Sequence, residues 1–227
     1  MKKKLVLITL FVLPVVIYLF FASGIYNFAN LPLRSSNVAD VVEMSSQEFK
    51  AVKTADTPLT FKNHITLVGY IGDALLENPG YTANLNLMIF KYFERYDDFQ
   101  LILFVNKGNE QVIEALKEEL ARIFDVSKMR FIVASKDQVN AHFESLQTGL
   151  TLMLDGGHPD VFLIDKELSL RSGHDEKKAN IYGYDFTQAV EMGYLKDDVK
   201  ILLAEYRLAL KKNNNASPKI EQRRETK

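Results

Sequence analysis

The chain has 227 residues, 47% of them hydrophobic and 25% charged, and a net charge of −1. That composition suits one packed domain with an appendage, and the near-zero charge gives no global attraction to nucleic acid. Cysteine is absent, which excludes disulfides, thiolate metal ligands and cysteine nucleophiles.

Charge is unevenly placed. Lys2, Lys3 and Lys4 make the start basic, and the tail from Lys211 to Lys227 holds six basic and two acidic residues. The part between is therefore acidic. An acidic domain repels nucleic-acid backbones, so no nucleic-acid partner is expected.

Leu5 to Gly24, LVLITLFVLPVVIYLFFASG, is an uncharged run of 20 residues. A helix of about 20 apolar residues crosses a bilayer core of about 30 Å. Pro14 stands mid-run, where membrane helices tolerate it, and Tyr26 suits the interfacial belt. A cleaved signal peptide has a shorter apolar region and a small-x-small site; Phe21-Ala22-Ser23-Gly24 fits that poorly. Residues 1–24 therefore read as a single N-terminal membrane anchor. Three lysines precede the run and only Arg34 follows it closely. That asymmetry predicts a cytoplasmic N-terminus and a domain on the outer side, periplasmic or equivalent.

Residues 25–56 read as a stalk, since Leu31-Pro32 and Ser35-Ser36-Asn37 are turn-prone and periodicity is weak. The domain is expected over residues 57–210. Ile65 to Ile71 is a short apolar run suited to a buried strand. Leu85, Met88, Ile89, Tyr92 and Tyr96 recur at helical spacing. Phe99 to Val105 predicts a second strand. Asn109 predicts the cap of a helix with Ile113, Leu116, Leu120 and Ile123 on its apolar face. Phe131 to Ala134 predicts a third strand. Ser135 and Gln138 form a capping box that opens a helix carrying Val139, Phe143 and Leu146. Val161–Ile164 and Leu168–Arg171 predict a hairpin around Asp165-Lys166-Glu167. A last helix carries Val199, Leu202, Leu203, Tyr206 and Leu210. Residues 211–227 are too polar to bury themselves and read as a disordered basic tail.

Strands alternating with helices give a parallel sheet with crossovers. The closing hairpin and helix complete a thioredoxin-like order. The expected class is α/β: a thioredoxin-like sheet flanked by helices, preceded by one N-terminal transmembrane helix.

Chemistry-bearing residues are few. Asp155-Gly-Gly-His158-Pro-Asp160 reads either as a surface loop before a strand or as a metal site. In the second case His158, with Asp73, Glu77 or Asp155, would hold zinc or copper(II) through nitrogen and oxygen. His64 and His142 read as packed or surface residues. Met44, Met88, Met129, Met153 and Met192 lack clustered spacing and read as core or near-core filler. There is no nucleophile elbow, phosphate loop or HExxH. No catalytic residue, cofactor or enzymatic reaction is expected.

The segment from about Lys62 to Tyr206 resembles the Sco/SenC family. Phe162-Leu-Ile-Asp165, then Arg171 and Asp175, is similar to the family stretch "YLID…G.IRG.YD". Asp198 to Tyr206 is similar to its closing "DI..LL" helix. The resemblance implies a membrane-tethered, thioredoxin-fold protein of the kind that handles copper in cytochrome c oxidase assembly. The family's CPxxCP motif follows the first core strand. Here that place reads Ala74-Leu-Leu-Glu-Asn78-Pro79, which keeps only the proline and puts Ala74 and Asn78 at the copper-binding cysteines. The family's third ligand, a histidine, falls at Gly157, with His158 one place later. Leu168 replaces a turn glycine, and His174 takes the place of a tyrosine. These departures imply a degenerate member: a membrane-anchored, redox-inactive binding or assembly module with an unidentified protein partner, in respiratory oxidase biogenesis. The alternative is a weak copper or zinc carrier using His158 and nearby carboxylates.

Overall fold

The computed structural model describes residues 10–19, 30–42, 50–51, 59–73, 89, 91–93, 95–122, 129–178 and 180–212. The chain divides into two units, Met1–Asn30 and Leu31–Lys227.

In the first unit, residues 10–19 form a helix, α1. Its apolar side chains all stand exposed, from 46% at Ile17 to 72% at Tyr18. No helix among the described residues is long and apolar enough to cross a membrane. The rest of the expected anchor, at 1–9 and 20–24, lies outside them.

The second unit is built on one sheet. Its strands are β1 (Leu33–Ser35), β2 (Lys50–Ala51), β3 (Ile65–Ile71), β4 (Phe99–Asn106), β5 (Met129–Ala134), β6 (Asp160–Ile164), β7 (Leu170–Arg171) and β8 (Tyr184–Asp185). The helices are α2 (Glu110–Ala121), α3 (Lys136–Ser145) and α4 (Ala189–Lys212), with a helical turn at Lys91–Phe93. The strand order is β1-β7-β6-β3-β4-β5-β2, and β8 pairs with β6. β3, β4 and β5 run parallel, and β6 is antiparallel to β3. This mixed sheet with flanking helices is the expected α/β, thioredoxin-like architecture.

Every residue of β3 and β4 is buried, which explains why those strands read as continuous apolar runs. The two-residue period sorts their side chains into two cores. Ile65, Leu67, Leu101, Leu103, Val161 and Leu163 face one side, with Ile113 and Leu116 of α2 and Met192, Leu195, Val199 and Leu202 of α4. Val68, Tyr70, Ile102, Phe104, Phe162 and Ile164 face the other, with Val139 and Phe143 of α3. The Ser135–Gln138 capping box forms as read. The closing helix starts ten residues earlier than its first recognised apolar position, because Met192 and Leu195 continue the same buried stripe.

The stalk reading needs correction. Residues 31–42 are part of the domain: β1 pairs with β7, and Leu31, Val38 and Val41 are buried. Asp40 accepts hydrogen bonds from Phe61 N at 2.8 Å and from Thr60 Oγ1 at 2.5 Å. Turn-prone residues gave no periodicity, yet their backbone is satisfied by tertiary partners rather than by water. The domain therefore begins at Leu31 and not near residue 57. Met153 is also corrected: it is 44% exposed and fills no core. The helix expected around Leu85–Tyr96, Ile123 and the tail beyond Lys212 fall wholly or mainly outside the described residues.

Candidate functional site

In this topology the chemistry-bearing loops gather at the carboxyl ends of the parallel strands β3 and β4. Ala74, Asn78, Pro79 and Glu77 lie outside the described residues. What is described there is Gly72, Asp73, Asn106, Asn109 and the loop 155–159.

The loop is fixed from below. Asn106 Nδ2 donates to the Asp155 carbonyl at 2.5 Å, and Gly157 N donates to Asp155 Oδ1 at 3.1 Å. His158 N donates to the Tyr70 carbonyl at 2.9 Å, which ties the loop to β3. Two glycines permit the approach. A Cβ on Gly72 would fall 2.4 Å from Asp155 Oδ2, and one on Gly157 would fall 2.7 Å from Gly72 N. Gly156 takes φ +80° to complete the turn. Leu154, at the tip, is fully exposed. Asn109 starts α2 with its carbonyl accepting from Ile113 N at 3.0 Å, while its side-chain amide donates to Asp73 Oδ1 at 2.8 Å.

His158 is 8% exposed and lies between Phe143 and Phe162, at 5.2 and 5.6 Å. Its Nδ1 accepts from Asp160 N at 3.1 Å, so the proton of the neutral ring sits on Nε2. Burial holds its pKa below the usual imidazole range, partly offset by the Asp185 charge. The lone pair at Nδ1 is thus engaged by the backbone and is not offered to a ligand. Among the described residues no group of three or more His, Asp or Glu side chains is arranged to hold a metal ion.

Behind His158 is an acidic corner that the sequence reading missed. Asp160 Oδ2 lies 3.7 Å from His158 Nδ1 and accepts from Asn180 Nδ2. Asp160 and Asp185 stand directly opposite each other on β6 and β8. Burial, then Asp185, then Glu191 push the Asp160 carboxyl up to about 6, while Asn180 opposes the rise. Glu191 is in turn held by Lys178 at 2.6 Å and lies 3.0 Å from His174 Nε2. His174 is buried against Tyr184, with ring centres 4.5 Å apart. His64 is half-buried at the start of β3, where Nδ1–H donates to the Lys62 carbonyl at 3.0 Å. Neither reaches the loop 155–159. No periodic signal in the sequence marks Asp160 and Asp185, because a cross-strand pair 25 residues apart is set by register alone.

His142 is elsewhere, fully buried on α3 beneath the sheet. Tyr70 Oη lies 2.7 Å from its Nδ1, and its Nε2 lies 3.1 Å from the Ala39 carbonyl.

No family model matches the chain, and no curated protein matches it at a significant level. Solved structures do match in fold. A protein described as a disulfide isomerase from Bacteroides thetaiotaomicron aligns over 79% of this chain and 96% of its own, at 11% identity and TM-score 0.50. BsSco, a member of the Sco family, aligns over 75% of this chain and 95% of its own, at 12% identity and TM-score 0.50. The soluble domain of Sco1 from Bacillus subtilis aligns over 74% of this chain and 92% of its own, at 13% identity and TM-score 0.46. The chain shares the thioredoxin-like fold of Sco proteins and of thiol–disulfide exchange proteins, without a single cysteine.

Proposed function

We propose that this chain is a Sco-like binding or assembly module, inactive in thiol redox chemistry and held at a membrane by its apolar N-terminal segment. The observation that carries the reading is the state of His158. Its Nδ1 is spent on the Asp160 N–H and its ring is packed between two phenylalanines. The residues matching the family's two thiolates are Ala74 and Asn78, neither of which supplies a soft ligand for copper(I). The fold remains while its chemistry has no donors, so function passes to surface shape.

BsSco is described as belonging to the cytochrome c oxidase assembly proteins. That likeness suggests a respiratory oxidase subunit or one of its assembly factors as the partner. The lysines at 2–4 and the exposed apolar faces of α1 support an anchor with the domain on the outer side.

The test is a copper(I) competition against a strong chelator, using the full chain in detergent. The expected result is no uptake at one equivalent and no change on His158→Ala. Uptake of one equivalent that His158→Ala abolishes would replace the module with a metal carrier.

A further inference from the structure

The reading above makes no use of the Tyr70–His142 pair. Both side chains are fully buried. The Ala39 carbonyl can only accept, so the hydrogen on His142 sits at Nε2 and its Nδ1 is the acceptor for the Tyr70 hydroxyl. The phenolic proton therefore has one defined destination, 2.7 Å away. Burial disfavours positive charge on the His142 ring, and the bond to the Ala39 carbonyl and the nearby Asp40 carboxylate, held by Phe61 N, offset part of that cost.

An aromatic cage encloses the pair. Tyr70 stacks on Phe104 at 5.3 Å and meets Phe143 edge-on at 4.9 Å. His142 lies 4.3 Å from Phe104 and 5.4 Å from Phe61. Tyr70 and His142 are wholly screened from solvent, and so from the dissolved reductants and radical–radical coupling that remove an exposed phenoxyl radical. The chain holds ten tyrosines but neither cysteine nor tryptophan. Tyrosine is then the side chain from which a one-electron oxidant most readily draws an electron.

We propose that Tyr70 and His142 form a proton-coupled one-electron site. A one-electron oxidant, such as an oxidised metal centre or a photogenerated dye cation, removes an electron from the Tyr70 ring. The O–H bond breaks and its proton forms the N–H bond at His142 Nδ1. The products are a neutral tyrosyl radical, an imidazolium at His142 and the reduced oxidant. Return of one electron to the oxygen and of the proton from Nδ1 restores the resting pair. Without the imidazole the phenolic proton would have no acceptor at hydrogen-bond distance, and the positive charge left by oxidation would sit on the phenol ring instead of on a base whose Nε2–H already has a carbonyl partner. This site is independent of the module reading, which concerns thiols and copper.

Tyr184 is the rival, since it is also buried and donates to Asp198 Oδ2. The experiment is flash oxidation of the full chain in detergent with a ruthenium polypyridyl photo-oxidant, followed by electron paramagnetic resonance. The expected result is a persistent tyrosyl signal that Tyr70→Phe removes and Tyr184→Phe leaves. His142→Phe is expected to shorten its lifetime by at least about tenfold, the scale of one hydrogen bond acting on a rate. Because all three variants perturb the core, 2,3-difluorotyrosine is also placed at position 70, which keeps the ring and hydroxyl. Fluorine splitting of the radical spectrum supports the site. An unsplit spectrum, a signal lost only with Tyr184, or no persistent signal overturns it.

Discussion

His142 and His158 are both buried, the first completely and the second with 8% of its surface exposed, and the structure treats them differently. His142 has a partner on each nitrogen, Tyr70 and the Ala39 carbonyl, inside an aromatic cage. His158 has a backbone donor on Nδ1 and stands at the edge of a corner holding Asp160, Asp185 and Glu191. The first region satisfies each polar atom with a neutral partner; the second sets like charges across a strand pair, which destabilises. Two buried histidines thus stand in a fully partnered lock in one place and beside a cluster of carboxylates in the other. The difference lies in partners, since a buried polar group is costly only when left unpaired.

Removing the lock gives the largest expected effect. His142→Ala opens a cavity and strands the Tyr70 hydroxyl and the Ala39 carbonyl, with an expected loss of about 3–5 kcal/mol. Urea unfolding measures it, and a loss under about 1 kcal/mol would place the lock elsewhere.

The two regions also respond to pH in opposite senses. Burial lowers His142 from 6.5 to about 3, opposed by its bond to Ala39 and by Asp40. The unfolded chain then takes up the proton first, so this contribution to stability is lost as pH falls from about 6.5 toward 3. The expected loss is at most roughly 5 kcal/mol. Asp160 is raised from 3.8 to about 6, so the folded chain holds its proton longer. Stability from this group is present below about pH 4 and is lost as pH rises through 6. Asp160→Asn keeps an acceptor for Asn180 and removes the charge. After allowance for partial solvent screening, it is expected to raise stability at pH 7 by about 1–2 kcal/mol and to flatten the limb between pH 4 and 6. Thermal melts across that range check it; an unchanged limb would show that the corner is relieved by other means.

The smallest effect tests the segment that feeds the lock. Val38 N donates to the Leu168 carbonyl at 2.9 Å, one residue before Ala39. Leu168 takes φ +64°, a conformation that costs a bulky residue about 1–2 kcal/mol. It also packs against the second core, so Leu168→Gly exchanges strain for lost contact. The expected net change is under about 1 kcal/mol of either sign, read by urea unfolding. A loss above about 2 kcal/mol would mean that the leucine side chain, and not the turn, holds the leading segment in place.

Much of the fold was legible before any coordinates. β3 and β4 announce themselves as unbroken apolar runs because both their faces are covered, and Ser135 with Gln138 marks the start of α3 by local hydrogen bonding. The absence of cysteine alone removes thiol chemistry from the site. Residues 31–42 were misread because their partners are distant in sequence: Ser35 Oγ donates to the Leu146 carbonyl across 111 residues. His142 reads as a packed or surface residue and is packed, but its partners Tyr70 and Ala39 were not legible for the same reason.

Local order, strand faces and chemical exclusions were therefore determined by the sequence itself, since they depend on neighbours two to four places apart or on composition. The tertiary structure decided which polar groups share a buried space. Ala39 reaches His142 from 103 residues away, Tyr70 reaches it from 72, and Asp160 meets Asp185 only because β6 and β8 pair in one register. Those meetings fix which nitrogen carries a proton and which carboxylate keeps one, because in a dry interior a proton's place is set by the nearest donor and acceptor.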